Sequence, residues 1–275
     1  MVLKTFILYE LKIALRQMWG YMFVAIMLVF ALAIWLIQLG IGDAAIASYT
    51  QAAGAMINLL LYIVPLFALL TGSFSVAGEW EDGRWSLLAS YPISSFSFLL
   101  GKFIALSLLL SAYSMLVLGL FSLLGVIFDR PVASTLFMAA IIFAILLSVL
   151  FLALAIMVGA VSKNRWQAFS MSVGLWFVLI IAWPVVVLAM VNQLPYLWTQ
   201  PALEILTMLN PAELVRLYTT VHHGGGYMFG PHYYDWMSWI HSPFGTLQFA
   251  GIALLWCGIH LGVGIYFWEK KRNAK

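Results

Sequence analysis

The chain has 275 residues, of which 64% are hydrophobic and only 8% are charged. Soluble proteins carry roughly 25% charged residues, so this composition excludes a water-soluble globular protein. The mean hydropathy of +1.03 agrees with that exclusion. The net charge of +3 is small and gives no indication of nucleic-acid binding. We therefore expect lipid to be the solvent for most of the chain.

The first twenty residues carry charges and precede any long apolar run. We predict an interfacial helix within residues 1–20, with a charged topology signal as the alternative. No cleavable signal peptide is expected, because the apolar run that follows is longer than the apolar region of such peptides. The polar residues of this stretch that share about a third of a helical wheel are Lys4, Thr5, Lys12 and Arg16.

Six apolar runs follow, and each is long enough to cross a membrane. A transmembrane helix needs about 20 predominantly apolar residues. The runs are continuous and rich in Leu, Ala and Ile, without the alternation that is typical of barrel strands. We predict an all-α polytopic membrane protein with one transmembrane domain over residues 1–275. The spans are placed near residues 21–41, 56–77, 103–126, 133–161, 168–192 and 246–268.

The cations divide unevenly between the two membrane faces that these spans define. With a cytoplasmic N-terminus, the 13 Lys and Arg residues fall eleven inside and two outside, which is the positive-inside pattern. We therefore predict a multi-pass protein of the cell membrane with both termini in the cytoplasm. Arg130 and Arg216 are the outside cations. The inside cations are Lys4, Lys12, Arg16, Arg84, Lys102, Lys163, Arg165, Lys270, Lys271, Arg272 and Lys275.

Two cytoplasmic connections are predicted between the spans. The longer one, residues 78–102, concentrates acids and two Trp side chains, which favours a basic protein partner over an anionic lipid surface. The shorter one, residues 162–167, is polar, and a solvated loop or turn is the alternative for both. The candidate contact residues are Glu79, Trp80, Glu81, Asp82, Gly83, Arg84 and Trp85 in the first connection, and Lys163, Asn164 and Arg165 in the second.

A long external segment, residues 193–245, separates the fifth and sixth spans. Asn210, Pro211 and Glu213 suit the N-cap, N1 and N3 positions of a helix, and Arg216 follows Glu213 by one turn. We predict amphipathic helices here that dip into the outer leaflet. These four residues are the candidate contacts for an extracytoplasmic partner.

The chain carries few groups for chemistry of its own. Gly101-Lys102 lacks the glycine of a Walker A loop, and the motifs His-Glu-x-x-His and Gly-x-Ser-x-Gly do not occur. We expect no catalytic residue and no cofactor in this chain. External imidazole and thioether groups would suit copper, but their spacing matches no known ligand frame, so structural or partner contacts are preferred. The residues concerned are His222, His223, Met228 and His232.

The acidic connection and the layout of spans resemble a known family. Glu79-x-Glu81-Asp82-Gly83 and the stretch that follows it resemble the loop signature of ABC-2 type ABC transporter membrane subunits, although Arg84 replaces the small hydroxyl residue often found there. Residues 209–217 are similar to the segment before the last span in permeases that serve the maturation of multicopper enzymes such as nitrous-oxide reductase. The rest of the loop signature consists of Leu87-Leu88, Tyr91-Pro92, Ser94-Ser95 and Leu100-Gly101-Lys102.

The resemblance implies a fold and a mechanism. Two copies of the chain would pair with two separate ATP-binding subunits, which would hold ATP and Mg²⁺. Residues near 79–90 would form the main coupling helix, and residues 162–167 would form a lesser contact. ATP-driven closure would then tilt the spans, for export or for force transmission to an extracytoplasmic accessory protein in copper-enzyme maturation. The alternatives are a generic exporter of a peptide, drug or lipid-like substrate and a membrane-embedded metal-binding protein.

Overall fold

The structure, a computed structural model, describes residues 2–40, 45–83, 94–128, 133–222 and 234–273. Within these ranges the chain contains no strand, and six helices are long and apolar enough to cross a membrane. The predicted all-helical, six-span architecture is confirmed. The helices are α1 (Val2–Ala14), α2 (Met18–Gly40), α3 (Ala45–Glu81), α4 (Ser95–Ile127), α5 (Ser134–Val161), α6 (Arg165–Gln193), α7 (Tyr196–Leu209), α8 (Pro211–His222), α9 (Tyr234–Ile240) and α10 (Gly245–Asn273).

Helices α3 and α4 extend well beyond the spans expected from hydropathy. Much of the connection placed at 78–102 is therefore helical, since α3 ends at Glu81 and α4 begins at Ser95. Local capping explains these ends. Gly83 adopts φ +69°, a left-handed conformation that favours glycine after a helix. The Ser94 hydroxyl accepts a hydrogen bond from the Ser97 backbone N–H at 3.2 Å.

Helices α3 and α5 form the centre of the bundle and cross at very close range. A Cβ atom added at Gly159 of α5 would lie 2.6 Å from the Ser73 carbonyl oxygen of α3. A Cβ added at Gly72 would lie 2.6 Å from the Ala155 Cβ. Small residues let helix backbones approach closely where lipid supplies no hydrophobic driving force. The Ser172 hydroxyl of α6 then joins this crossing through a 2.9 Å hydrogen bond with Ser73.

The outer helices expose large apolar side chains, as expected for a surface that faces lipid. Helices α2, α6 and α10 are the least buried of the six long helices. The exposed side chains on these three helices include Val29, Phe30, Val185, Leu188, Leu254 and Leu255.

The N-terminal helix α1 packs against the start of α4, at the end of the bundle where α10 finishes. The Phe6 ring lies 5.6 Å from the Phe98 ring, and Phe98 stacks on Trp268 of α10 at 5.0 Å. We call this end of the bundle, marked by Phe6, Phe98 and Trp268, the termini end, and the other the opposite end.

Because α3 and α5 cross so closely, one added methyl group at the crossing should lower the stability of the protein. Gly159→Ala should lower the free energy of unfolding by about 1–3 kcal/mol, because the surrounding backbone must shift to admit the new atom. Gly174→Ala is the matched control, since a Cβ there meets no atom within 4 Å. The midpoints of denaturant unfolding in detergent measure both effects, and equal midpoints would contradict the proposed packing.

Candidate functional site at the end of α3

The end of α3 binds several other elements through consecutive residues. We call residues 78–82 the α3 junction. Its acids and aromatic ring contact α4, α6 and α10, and Lys102 of α4 links it to Glu10 of α1. The helix places successive side chains about 100° apart around its axis, so a short run at a helix end can reach neighbours on all sides.

One face of the α3 junction holds the first residue of α6. The Arg165 guanidinium binds the Asp82 carboxylate, with 2.7 Å between Nη2 and Oδ2. The Arg165 backbone N–H also donates to a carboxylate oxygen of Glu81 at 2.8 Å. That N–H belongs to the unpaired first turn of α6, where a carboxylate is favourable. The absence of a side chain at Gly78 gives Arg165 its room, because a Cβ there would lie 2.8 Å from the guanidinium.

A second face holds a buried ion cluster, which we call the Lys102 cluster: Lys102, Glu10, Glu79 and Ser75. The Lys102 ammonium contacts the two Glu10 oxygens at 2.9 and 3.0 Å, Glu79 at 3.2 Å and the Ser75 hydroxyl at 3.2 Å. The Lys102 side chain is only 1% exposed. A buried ammonium without partners would be very unfavourable, so these oxygens determine how α1, α3 and α4 pack together.

A third face brings the end of α10 onto the α3 junction. The Trp80 ring meets Trp268 edge to face at 5.9 Å, and the Lys271 ammonium lies 5.6 Å from the centre of the Trp80 ring. Lys271 also donates to the Ser162 carbonyl at 2.6 Å, at the C-terminal end of α5 where a cation is favourable.

These contacts give the acids a structural role within the subunit. Glu79, Glu81 and Asp82 were predicted to attract a basic partner, and in the structure each also binds Lys102 or Arg165 of its own chain. Glu81 and Asp82 remain exposed at the end of the α3 junction, so their contact with a partner stays a prediction.

The remaining predicted residues of the two connections have local roles or lie outside the described residues. Asn164 is the N-cap of α6, and its side chain accepts a hydrogen bond from the Gln167 backbone at 2.8 Å. The Gln167 side chain in turn accepts from the Lys163 backbone at 2.8 Å. Arg84 and Trp85 lie outside the described residues. The structure thus joins the two predicted connections into one site through Arg165.

The predicted helix start at Asn210 is confirmed, but Asn210 lies inside the helix bundle and not at its surface. Asn210 is fully buried, and its side-chain oxygen caps α8 by accepting from the Ala212 N–H at 2.9 Å. Its amide nitrogen donates to the Leu179 carbonyl at 2.6 Å. Leu179 lies in a π-helical turn of α6, where its carbonyl would pair with residue 184, a proline without an N–H. Asn210 supplies the missing donor.

The helix α8 is covered mainly by protein on its apolar face, and not by the outer leaflet. Asn210 and Pro211 are buried, so they act inside the subunit, and the predicted partner contact now rests on Glu213 and Arg216. These two form an ion pair one turn apart, as their spacing indicated. The residues of α8 that are buried in the bundle are Pro211, Ala212, Leu214, Val215, Leu217, Tyr218, Thr219 and Val221.

The structure gives no support to a metal centre in the part of the chain that it describes, where no three potential ligands cluster. Of the candidate ligands, only His222 falls within that part, and its ring stacks on Tyr218 at 5.6 Å. His223, Met228 and His232 lie outside the described residues.

Sequence reasoning missed the Lys102 cluster. Lys102 was predicted to be an inside cation at a span border, and Glu10 was given no role. A usable signal was present, because Lys102 follows Phe98, Leu99 and Leu100 without another charge, deep in what proves to be α4. Its partners, 92 and 23 residues away, could not be identified from sequence spacing.

Comparisons with known proteins agree on one family. Residues 6–272 match the family described as ABC-2 family transporter protein. Over 216 residues the chain is 29% identical to "Probable ABC transporter permease protein NosY" of Stutzerimonas stutzeri, covering 76% of this chain and 77% of that one. It is 28% identical over 216 residues to the protein of the same name from Pseudomonas aeruginosa PAO1, covering 76% and 78%.

The Lys102 cluster predicts a large loss of stability when its only ammonium is removed. Lys102→Ala leaves two carboxylates together in a buried site and should lower the free energy of unfolding by about 3–5 kcal/mol. Lys12→Ala, at an exposed position of α1, should change it by less than about 0.5 kcal/mol. Denaturant unfolding in detergent measures both.

A fully apolar replacement is the companion test. The triple variant Lys102→Met, Glu10→Leu, Glu79→Leu should recover most of that stability, because no unpaired charge remains buried. A Lys102→Ala variant as stable as Lys12→Ala would show that the cluster is not formed.

Proposed function

We propose that this chain, which belongs to the ABC-2 family of transporter proteins, receives mechanical work from separate ATP-binding subunits through its α3 junction. The chain is a permease subunit, and such subunits in general work with ATP-binding partners and as dimers. The proposed contact surface comprises the α3 junction together with residues 162–167. Two copies of this chain would pair with two ATP-binding subunits, which would hold ATP and Mg²⁺.

The observation that carries this proposal is the bond between Arg165 and the α3 junction. It joins the two connections into one surface, so a partner that pushes on either one displaces both. The neighbouring Trp166 is 77% exposed and offers a large aromatic contact at the edge of that surface.

Packing supports a rigid transmission from this surface to the rest of the bundle. Helix α3 is fixed to α5 by the close approach at Gly159 and Gly72, which leaves little freedom to slide. A partner that binds one tilt of α3 better than another would therefore shift the whole bundle between two arrangements.

Charge supports a cytoplasmic position for the termini end. The α3 junction, the Lys102 cluster and the basic end of α10 lie there, together with most of the cations of the chain. The positive-inside rule places such an end in the cytoplasm, where ATP-binding subunits are found. The chain would thus be a multi-pass protein of the cell membrane, with both termini inside.

The finer proposal concerns the purpose of the transporter. We propose that it serves the maturation of a copper enzyme such as nitrous-oxide reductase, by export or by force transmission to an extracytoplasmic partner. The support is the similarity of residues 209–217 to permeases with that role, together with the shared name of the two relatives.

Charge exchange at Arg165 tests the coupling proposal. Asp82→Arg and Arg165→Asp should each lower permease-dependent ATP hydrolysis by about tenfold, the effect of ~1.4 kcal/mol on a barrier. The double variant Asp82→Arg, Arg165→Asp should restore it, because the pair reforms with its signs exchanged. Hydrolysis by the co-purified complex in lipid nanodiscs is the measurement.

An unfolding measurement and a control variant at another acid distinguish a loss of coupling from misfolding. The two side chains are 45% and 31% exposed, and pairs of this kind contribute only about 0.2–1 kcal/mol, so unfolding should hardly change. Glu269→Arg, at an exposed acid of α10 that belongs neither to the α3 junction nor to residues 162–167, should leave hydrolysis unchanged. Full activity in both single variants would refute the role of the α3 junction.

Deletion of the gene tests the copper-enzyme proposal. In cells grown on nitrous oxide, loss of the chain should abolish nitrous-oxide reductase activity and leave the secreted reductase without its complete copper complement. Metal analysis of the purified reductase measures this, and re-expression of the chain is the control. A fully metallated, active reductase in the deletion strain would exclude this purpose.

A further inference from the structure

The turn between α7 and α8 lies close to the middle of the membrane. Asn210 at this turn bonds to the Leu179 carbonyl, and Leu179 is the central residue of α6, equally far from Arg165 and Gln193. The 14 residues of α7 are about 21 Å long, which matches the half of α6 that follows Leu179. Helix α7 therefore runs back into the bundle from the end of α6.

A contact with α10 independently places the α7–α8 turn at the same depth. The Trp256 indole donates to the Met208 carbonyl, just before the turn, at 3.0 Å. Trp256 follows the first residue of α10, Gly245, by a length of about 16 Å, roughly half of the ~30 Å hydrocarbon layer. Farther along α8, the Tyr218 hydroxyl bonds to Thr246 at the beginning of α10. Helix α8 thus leads from the middle of the membrane back to the opposite end.

An ion pair lies on α8 at this depth. By helical rise, Glu213 and Arg216 are about 5 and 9 Å beyond Asn210, well within the half-thickness of the hydrocarbon layer, about 15 Å. Their side chains remain 16% and 31% exposed in the single subunit. The two charges are therefore not fully buried in protein, and they lie too deep to reach the lipid headgroups.

The exposure of these charges follows one face of α8. Glu213, Arg216 and Thr220 share that face by their spacing and are partly exposed, and we call them the α8 polar stripe. Leu214 and Leu217 on the other side are buried in the bundle.

We infer that the α8 polar stripe lines a water-filled path through the outer half of the transporter and contacts a hydrophilic, charged solute there. Ionisable side chains within a membrane face a bundle interior or an aqueous cavity, because hydrocarbon does not solvate them. The exposed side of the stripe must therefore meet water or polar groups and not lipid. This inference deepens the proposed function, on which it rests for the existence of a transport cycle.

Cysteine labelling at matched depth tests this inference. In a Cys257→Ser background, with the ATP-binding subunits co-expressed, Glu213→Cys would be compared with Leu254→Cys, which is exposed on α10 at a similar depth. Arg216→Cys would be compared with Val185→Cys, which is exposed on α6. The probe is a charged, membrane-impermeant methanethiosulfonate applied to the outside of intact cells.

The stripe cysteines should react about tenfold faster than their controls or more, because the reactive thiolate forms in water and not in hydrocarbon. A double variant, Glu213→Gln with Arg216→Cys, removes both charges of the ion pair, and its cysteine should react as fast as that of Arg216→Cys alone. Labelling after denaturation confirms that every cysteine is present.

Reaction at the control rate in both stripe variants and in the double variant would overturn the inference. Such a result would leave the coupling proposal intact, since that is read from ATP hydrolysis after changes at Asp82 and Arg165. Conversely, rapid labelling of the stripe together with unaffected hydrolysis in those variants would refute only the coupling role of the α3 junction.

Discussion

The end of α3 holds the termini end of the bundle together through paired charges. Lys102 draws α1 and α4 onto Glu79, Arg165 fixes the start of α6 to Asp82, and Trp80 receives the end of α10. Buried charges do not add much stability compared with apolar packing, but they fix register, since a displaced helix would leave an ion without its partner. The positions of these four helices therefore depend on the α3 junction.

This arrangement changes how the acidic segment can communicate with a partner. An exposed acidic patch would attract a basic surface and could move independently of the bundle. Here Glu79 and Asp82 are paired within the subunit and Glu81 binds the start of α6, so a partner would also meet the exposed Trp166 beside them. A force applied to residues 78–82 would pass into α4 and α6 through their ion pairs, into α1 through Lys102, and into α10 through the contacts of Trp80.

The parts of the fold that were predicted from sequence depend on local chemistry. Apolar run length set the six spans, and Asn210 before Pro211 marked the start of α8, because both signals are carried by neighbouring residues. The Lys102–Glu10 contact could not be predicted in this way. It joins residues 92 apart, and a cation at a span border has the same sequence signature whether it faces water or a buried carboxylate. The depth of α8 was hidden for a similar reason, since it depends on a carbonyl that Pro184 leaves without its π-helical donor.

The two polar regions of the molecule are linked through the centre of the bundle. Helix α3 contacts the termini end through its last residues, and α5, locked to α3 at Gly159, packs against α8. Helix α6 begins at Arg165, which binds the α3 junction, and it contacts Asn210 through Leu179 at its midpoint. A tilt of α3 would therefore reach the α7–α8 turn by two routes, one through α5 and one through α6. The π-helical turn of α6 lies on the second route, at the residue whose carbonyl Asn210 binds, and such turns are common sites of bending in helices.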